Sequence, residues 1–109
     1  MDIVPDATVI TYHARGSITD GPDFTPPHRP EGRACVPLRY DCRFTWREAT
    51  REWEALRIGI FATFRKVDGA LANVEHETSF PLTYGNPPAW VLDIVESIRP
   101  KGPVGGGPQ

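Results

Sequence analysis

The segment VPLRYDCRFTW, residues 36–46, alternates apolar and polar side chains along its whole length. Successive side chains of a β-strand point to opposite faces, so this period of two predicts a strand with one face in the core and one in water. Residues 56–65 repeat the alternation, and residues 70–82 repeat it less regularly. The core face is expected to carry Val36, Leu38, Tyr40, Cys42, Phe44, Trp46, Leu56, Ile58, Ile60, Ala62, Phe64, Ala70, Ala72, Val74, His76, Thr78, Phe80 and Leu82.

The length of the turn between residues 56–65 and 70–82 can be inferred from the side chains that each possible loop would bring together. A two-residue loop at Asp68-Gly69 would place Glu75 and Glu77 among apolar neighbours. A three-residue loop, 67–69, keeps the apolar residues on one face, because a slip of one residue inverts a strand. Gly69 is then expected in the left-handed position of a G1 bulge. The predicted pairs are Phe64 with Ala72, Ala62 with Val74, Ile60 with His76, Ile58 with Thr78, and Leu56 with Phe80.

A helix over residues 88–99 is predicted to cover the apolar face of this sheet. Asn86 is expected as its N-cap and Pro87 as its first helical residue. Apolar residues then recur at the spacing of one helical face. That stripe consists of Val91, Ile94, Val95 and Ile98.

Two further segments complete the predicted fold. Residues 45–55 are interpreted as a hairpin loop at about Arg47–Arg51, with a short helix as the alternative because Thr45 and Glu48 fit a capping box. Residues 8–14 are rich in β-formers and predict a short fourth strand whose partner the sequence does not reveal. The fold class is therefore a small α+β domain, with an antiparallel sheet of three to four strands and a C-terminal helix on one face.

The 109 residues are enough for one domain, which we expect to span residues 7–100. Residues 1–6 are predicted to be a flexible N-terminus and residues 101–109 a disordered tail. Residues 16–33 form a Pro- and Gly-rich loop that is interpreted as disordered or, alternatively, as a partner-binding loop. It contains Pro27-His28-Arg29-Pro30, which has the PxxP spacing of polyproline II ligands.

Charge and composition limit the compartments and the classes of partner that we expect. The net charge of −2 gives no general attraction to nucleic acid or to a membrane surface. No apolar run is long enough for a membrane span, and no signal peptide is recognisable, so the cytoplasm is the expected compartment. Only Lys66 and Lys101 are lysines among the 12 basic residues, a bias typical of a GC-rich bacterium or one of its phages.

Residues capable of chemistry are few. Cys35 and Cys42 are too far apart along one strand for a disulfide, so we expect buried, reduced thiols. A metal cluster of His13, His76 and Cys42, or a Cys-His nucleophilic pair, would need a proximity for which no ligand spacing gives support. The sequence therefore predicts no enzyme activity, no catalytic residues, no metal and no cofactor.

The leading interpretation is a small binding module, an accessory protein that engages a protein partner, with a homodimer through a sheet edge as a further expectation. The alternative is single-stranded nucleic-acid binding, with arginines of the solvent face on phosphates and Phe61 stacked on a base. The candidate interaction surface consists of Arg39, Arg43, Arg57, Phe61, Arg65, Trp53, Phe24, His28 and Arg29.

Overall fold

The computed structural model describes residues 10–26, 34–85 and 87–102. Over these ranges the chain forms a five-stranded antiparallel sheet and one C-terminal helix, which confirms the predicted α+β class. The strand order is β1-β2-β4-β5, and β3 pairs with β2 beyond the end of β4. The elements are β1 (Thr11–Ser17), β2 (Cys35–Arg47), β3 (Glu52–Glu54), β4 (Arg57–Phe64), β5 (His76–Pro81) and α1 (Ala89–Ile98).

The strand predicted from residues 8–14 is β1, which runs from Thr11 to Ser17 and pairs antiparallel with β2. The start of the predicted strand, before residue 10, lies outside the described residues. The pairing places His13 opposite Arg43 and Ala14 opposite Cys42. β2 is therefore hydrogen-bonded on both sides, to β1 along one edge and to β4 along the other.

A bulge in β2 changes which of its residues are buried. The register with β4 shifts between Pro37 and Arg39, so the alternation before this point is inverted relative to the alternation after it. Cys35 and Pro37 are buried, as are Cys42 and Phe44 beyond the bulge. The prediction of Val36 and Leu38 as core residues was wrong because the extra residue of the bulge reverses the parity, and both are half-buried.

The preferred interpretation of residues 45–55 is confirmed, because they form a hairpin and not a helix. The turn spans residues 48–51, and Trp46 on β2 faces Trp53 on β3. The chain leaves strand geometry at Ala55 and Leu56 before β4 begins. Leu56 was predicted in the core, but this irregularity leaves it 58% exposed while Ala55 is buried.

The hairpin after β4 begins as predicted. The Lys66 N–H donates to the Ala70 carbonyl, and Gly69 has a φ of 88°, which a residue with a side chain rarely adopts. The three-residue loop, 67–69, is therefore confirmed.

Beyond Ala72 the register of this hairpin slips by two residues. Ile60 pairs with Thr78, Ile58 with Phe80, and Ala62 with His76, so the predicted partners of these three residues were wrong. Val74 lies before β5 and is 61% exposed. A slip of two residues keeps every side chain on its predicted face, so the apolar pattern cannot distinguish it from the expected register.

The predicted helix forms over Ala89–Ile98, one residue shorter at each end than expected. Pro88 is the N-cap, with an extended ψ of 151° and no side-chain cap hydrogen bond. Pro87 was predicted as the first helical residue, but a residue that precedes a proline is disfavoured in helical conformation. Asn86, the predicted cap, lies outside the described residues. Within those residues, no helix is both long and apolar enough to cross a membrane.

One buried cluster joins residues of the sheet and of α1. Val91 and Val95 belong to the same cluster as Phe44, Ile58 and Ile60. Phe24, from the segment predicted to be disordered or partner-binding, also packs against it, and its ring centroid lies 5.3 Å from that of Trp90. The Phe24 backbone forms a bridge with Cys35. The first part of the 16–33 loop is thus held against the sheet.

The burial pattern predicts a clear difference between two neighbouring apolar residues. Ile60→Ala is expected to lower the free energy of unfolding by about 2–5 kcal/mol, because Ile60 is fully buried and its truncation leaves a cavity. Leu56→Ala is the matched control and should cost less than about 1 kcal/mol, because Leu56 is mostly exposed. Urea denaturation of both variants measures the difference. Equal costs would contradict the observed arrangement of β3 and β4.

Candidate functional site

The face of the sheet that points away from the buried cluster carries four of the nine predicted interaction residues, Arg39, Arg43, Arg57 and Phe61. Arg39 and Phe61 are direct cross-strand neighbours there. The Arg39 guanidinium carbon lies 4.1 Å from the Phe61 ring centroid, and its Nε is 3.0 Å from Glu75 Oε1. One side of the Phe61 ring is therefore covered by a cation that is itself paired.

Arg65 does not join the other arginines on this face. Its Nε lies 2.9 Å from Asp23 Oδ2, and it also donates to the Gly69 carbonyl. The hydrogen bond from Arg65 lowers the pKa of the Asp23 carboxyl below its ordinary value. Arg65 thus holds the loop that contains Asp23 against the hairpin loop at Gly69.

Pairing between β1 and β2 assembles a cluster that the sequence did not predict. His13 Nε2 lies 2.6 Å from Asp41 Oδ1, and Arg15 Nε lies 3.3 Å from Asp41 Oδ2. These residues meet because β1 runs beside β2 in a register that places Arg15 opposite Asp41. The sequence left the partner of β1 open, so it held no signal for this contact. His13 is committed to Asp41 and does not approach Cys42, which faces the core.

The structure brings one cysteine and one histidine together, although not the cysteine that the sequence suggested. His76 Nε2 lies 3.6 Å from the sulfur of Cys35, not of Cys42, because the bulge in β2 turns Cys35 toward the core. Both cysteines are buried and no disulfide joins them. Across residues 10–26, 34–85 and 87–102, no group of three or more His, Cys, Asp or Glu side chains could hold a metal ion.

Trp53 belongs to an aromatic group at the end of the sheet. Its ring centroid is 5.4 Å from that of Trp46 and 6.4 Å from that of Tyr12. Its indole N–H donates to the Gly102 carbonyl, and Arg99 donates to its backbone carbonyl. Trp53 therefore ties the 48–51 hairpin to the chain that follows α1, and most of its bonding capacity is used within the molecule.

Two other predicted arginines, Arg43 and Arg57, lie on this face. Both are exposed, and neither forms an ion pair within the described part of the chain. The β2–β4 register pairs Cys42 with Ile58, so its continuation places Arg43 opposite Arg57. Like charges in opposite positions destabilise an antiparallel pair.

A polar depression lies beside these two arginines. Its volume is about 360 Å³, and Arg43, Arg57, Asp41, Gly59, Glu77 and Ser79 line it. The Glu77 carboxylate lies over Gly59 and fills the place where a Cβ atom of residue 59 would be. Gly59 faces Asp41 on β2 and Ser79 on β5, so small residues form a row from the depression to the edge of the sheet.

A second concavity runs along the outer edge of β5 and shares lining residues with the depression. This β5 groove has a volume of about 630 Å³. Arg57, Glu77 and Ser79 line both the groove and the depression. The Leu82 N–H donates to the Leu56 carbonyl. Because hydrogen-bonded positions alternate along an antiparallel pair, the even-numbered residues of β5 are the ones that bond to β4. The backbone groups of Glu77, Ser79 and Pro81 therefore point outward into this groove.

The predicted interaction residues are thus separated by the fold. Arg43 and Arg57 lie together beside the β5 groove, with Arg39 and Phe61 on the same face. Phe24 packs against the buried cluster, while Arg65 and Trp53 make contacts within the molecule. His28 and Arg29 lie outside the described residues. Sequence reasoning missed the β5 groove, because the residues that line it come from both sides of the strand and from loops.

Comparisons with family models, curated proteins and solved structures found no match to this chain.

Buried Cys42 predicts a loss of stability in alkali. Burial, with a smaller contribution from Asp41, raises the pKa of the Cys42 thiol from 9.0 to about 11. Ionisation therefore favours the unfolded chain, so the stabilisation is complete below pH 9 and is lost as the pH rises toward 11. The loss is expected to be on the order of 2 kcal/mol.

Urea denaturation between pH 8 and pH 11 measures this loss of stability. Cys42→Ala is the control, because its free energy of unfolding should fall less steeply over the same range. Parallel curves for the two proteins would contradict the raised pKa.

Proposed function

We propose that this chain is a small non-enzymatic binding module that accepts an extended segment of a partner protein as an additional strand along the outer edge of β5. The observation that carries the proposal is the groove of about 630 Å³ beside this edge, into which the backbone groups of Glu77 and Ser79 point. No strand of the described residues pairs with that edge. An exposed edge provides backbone donors and acceptors for a further strand.

The surroundings of the groove provide apolar contacts for a partner. Tyr84 is 78% exposed and Leu56 is 58% exposed, and both line the groove. An aromatic side chain presented at the rim of a concave surface is a common anchor of protein interfaces. The combination of outward backbone groups with exposed apolar side chains is typical of strand-addition sites.

Pro81 limits where such a strand can pair. It has no N–H, so the outward groups at the end of β5 include an acceptor but no donor. Proline on an edge strand is a usual defence against uncontrolled pairing. A partner segment is therefore expected to bond chiefly to Glu77 and Ser79, over a short stretch.

The other edge of the sheet, β1, supports the expectation of a homodimer less strongly. The Ile18 N–H donates to the Leu38 carbonyl, so the even-numbered residues of β1 bond to β2. Thr11, His13, Arg15 and Ser17 then direct their backbone groups outward. The polar and basic side chains of His13 and Arg15 flank this edge, and charge on an edge strand disfavours pairing with an identical strand.

Single-stranded nucleic-acid binding is the second candidate, and the exposed Arg43 and Arg57 favour it. Two observations weigh against it. Phe61, the expected stacking residue, has Arg39 over its ring at 4.1 Å. Asp41 and Glu77 stand beside the two arginines and would repel a phosphate backbone. A protein partner fits this mixture of charges better.

The proposed setting is the cytoplasm of a GC-rich bacterium or one of its phages. The two buried cysteines, which no disulfide joins, are consistent with a reducing compartment. The low lysine share among the basic residues is the basis for the proposed source. A short strand-addition site suits an accessory protein, because pairing over a few residues gives weak and reversible contacts.

Ser79→Pro is expected to weaken partner binding at least tenfold while the domain stays folded. The Ser79 N–H points outward, so its loss breaks no hydrogen bond to β4, and Pro81 shows that this strand tolerates the ring two residues later. Ser17→Pro makes the same change at an outward position of β1 and is the matched control. We expect the free energy of unfolding of both variants to stay within about 1 kcal/mol of the wild type.

Binding can be measured with peptides recovered by panning a random seven-residue phage library against the wild-type chain. Ser79→Pro should weaken those peptides at least tenfold, and Ser17→Pro should leave their affinity unchanged. Peptides that bind Ser79→Pro as well as the wild type, or that are lost only with Ser17→Pro, would refute strand addition at β5.

A further inference from the structure

We propose that Arg43 and Arg57 form a binding site for one terminal phosphate group, a phosphomonoester, on the exposed face of the sheet. The site lies above this pair of arginines, at the end of the depression that Thr45 lines, away from Gly59. It does not depend on strand addition at β5, because the two arginines belong to β2 and β4 and not to an edge strand.

Ion pairing separates Arg43 and Arg57 from the other arginines of the fold. Six of the eight arginines that the structure describes contact a carboxylate at nitrogen–oxygen distances of 2.7–3.3 Å, namely Arg15, Arg39, Arg47, Arg51, Arg65 and Arg99. Arg43 and Arg57 are the other two, and among the described residues they form no ion pair. The uncompensated arginine charge is therefore concentrated at one place on the sheet.

The strand register holds both arginines at that place. Continuation of the β2–β4 pairing sets Arg43 directly opposite Arg57, with both side chains on the same face. The Cα atoms of such a pair lie about 4.5–5.5 Å apart, so two guanidinium groups can contact one ligand. The cross-strand row continues with His13 beside Arg43 and Pro81 beside Arg57, so this row contains no carboxylate. An anion bound here would relieve the repulsion between the two like charges.

Two carboxylates share the depression but do not occupy this position. Asp41 is already bound by side chains of β1, at 2.6 and 3.3 Å. The Glu77 carboxylate lies over Gly59, which is two residues, or roughly 6.6 Å, from Arg57 along β4. Neither carboxylate forms an ion pair with Arg43 or Arg57. They lower the net positive charge of the depression without neutralising the arginine pair.

The charge and shape of the pair select a phosphomonoester among anions. This group carries about −1.5 to −2 near pH 7 and has three strong acceptor oxygens, so it can accept hydrogen bonds from two guanidinium groups at once. A carboxylate has less charge and only two oxygens. A phosphodiester carries a single charge and continues as a chain, which would pass over Asp41 and Glu77. The hydroxyl of Thr45, at the same end of the depression, is a further donor.

Phenyl phosphate and phenyl sulfate test the site, because they have similar shapes and differ in charge. At about pH 7.5 the phosphate is mainly a dianion, whereas the sulfate is a monoanion. Binding is followed by the side-chain Nε–Hε signals of Arg43 and Arg57 in the ¹⁵N-labelled chain. We expect phenyl phosphate to shift both signals and to bind at least fivefold more tightly than phenyl sulfate. Higher salt should weaken the binding of both.

Variants of the two arginines should remove this preference. Arg43→Gln and Arg57→Gln should each weaken phenyl phosphate at least fivefold and bring the two probes within about twofold of each other. Arg57→Lys should lose less than Arg57→Gln, because it keeps the charge but not the planar fork of donors. Arg39→Gln is the matched control on the same face, and the preference should survive because Arg39 is occupied by Glu75 and Phe61.

A blocked phosphoserine tripeptide and AMP distinguish two sources of the phosphate. Both should shift the Arg43 and Arg57 signals, whereas the serine tripeptide and adenosine should not. Tighter binding of the phosphopeptide would assign the phosphate to a protein side chain, and tighter binding of AMP would assign it to a nucleotide.

Three results would overturn the phosphate site. The first is that phenyl phosphate leaves the Arg43 and Arg57 signals unmoved or binds no better than phenyl sulfate. The second is that Arg39→Gln costs as much affinity as Arg57→Gln, which would indicate general attraction to a basic face. The third is that pentathymidylate without terminal phosphates binds more tightly than phenyl phosphate, which would indicate a diester ligand. Strand addition at β5 stands or falls separately, on the peptides tested with Ser79→Pro.

Discussion

The pairing of β2 on both of its edges is the constraint on which the rest of the structure depends. β1 bonds to one edge of β2, and β4 bonds to the other. Because this strand is central, the side chains of Cys42 and Phe44 are buried between neighbours on both sides, and both are almost completely inaccessible. Val91 and Val95 of α1 join the same cluster. Loss of either ladder would expose the residues that the other ladder helps to bury.

The same pairing arranges the opposite face of the sheet. Asp41 meets His13 and Arg15 from β1 on one side and Gly59 from β4 on the other. His13 and Arg15 of β1 contact the Asp41 carboxylate, while the neighbouring Arg43 and Arg57 have no ion pair among the described residues. An ion-paired region and an unneutralised region therefore lie side by side on one surface. The surface charge of this face is set by strand order as much as by composition.

The two edges of the sheet differ in a way that matters for binding. β5 is short, ends in Pro81 and lies beside a groove, whereas β1 is longer and has His13 and Arg15 on its outward positions. A short edge limited by proline restricts the number of backbone hydrogen bonds a partner can form.

Much of the fold follows from local pattern. The strands in residues 36–46 and 56–65, the 67–69 turn and the stripe on α1 each follow from local pattern, and the structure has them. The exceptions are Val36 and Leu38 at the bulge of β2 and Leu56 before β4. The hairpin at 48–51 was the preferred of two interpretations that the sequence left open. These features depend on residues close together in the chain, for which period and turn preference are sufficient physical information.

The candidate site was only partly accessible to such reasoning. Arg43, Arg57 and Arg39 were correctly placed on the face away from the core, because their parity follows from β2 and β4. The sequence did not reveal which of them would be neutralised, because Asp41, Asp23 and Glu75 meet their partners through pairings between distant segments.

By itself, then, the sequence determined the types of the elements, the parity of most strand residues and the turn at Gly69. Only the tertiary structure decided the bulge that buries Cys35, the two-residue slip that leaves Val74 exposed, and the partner of β1. An even slip leaves every side chain on its face, and a bulge reverses parity without any local signature strong enough to identify it. Such choices depend on how well whole surfaces pack, which no short stretch of chain can specify.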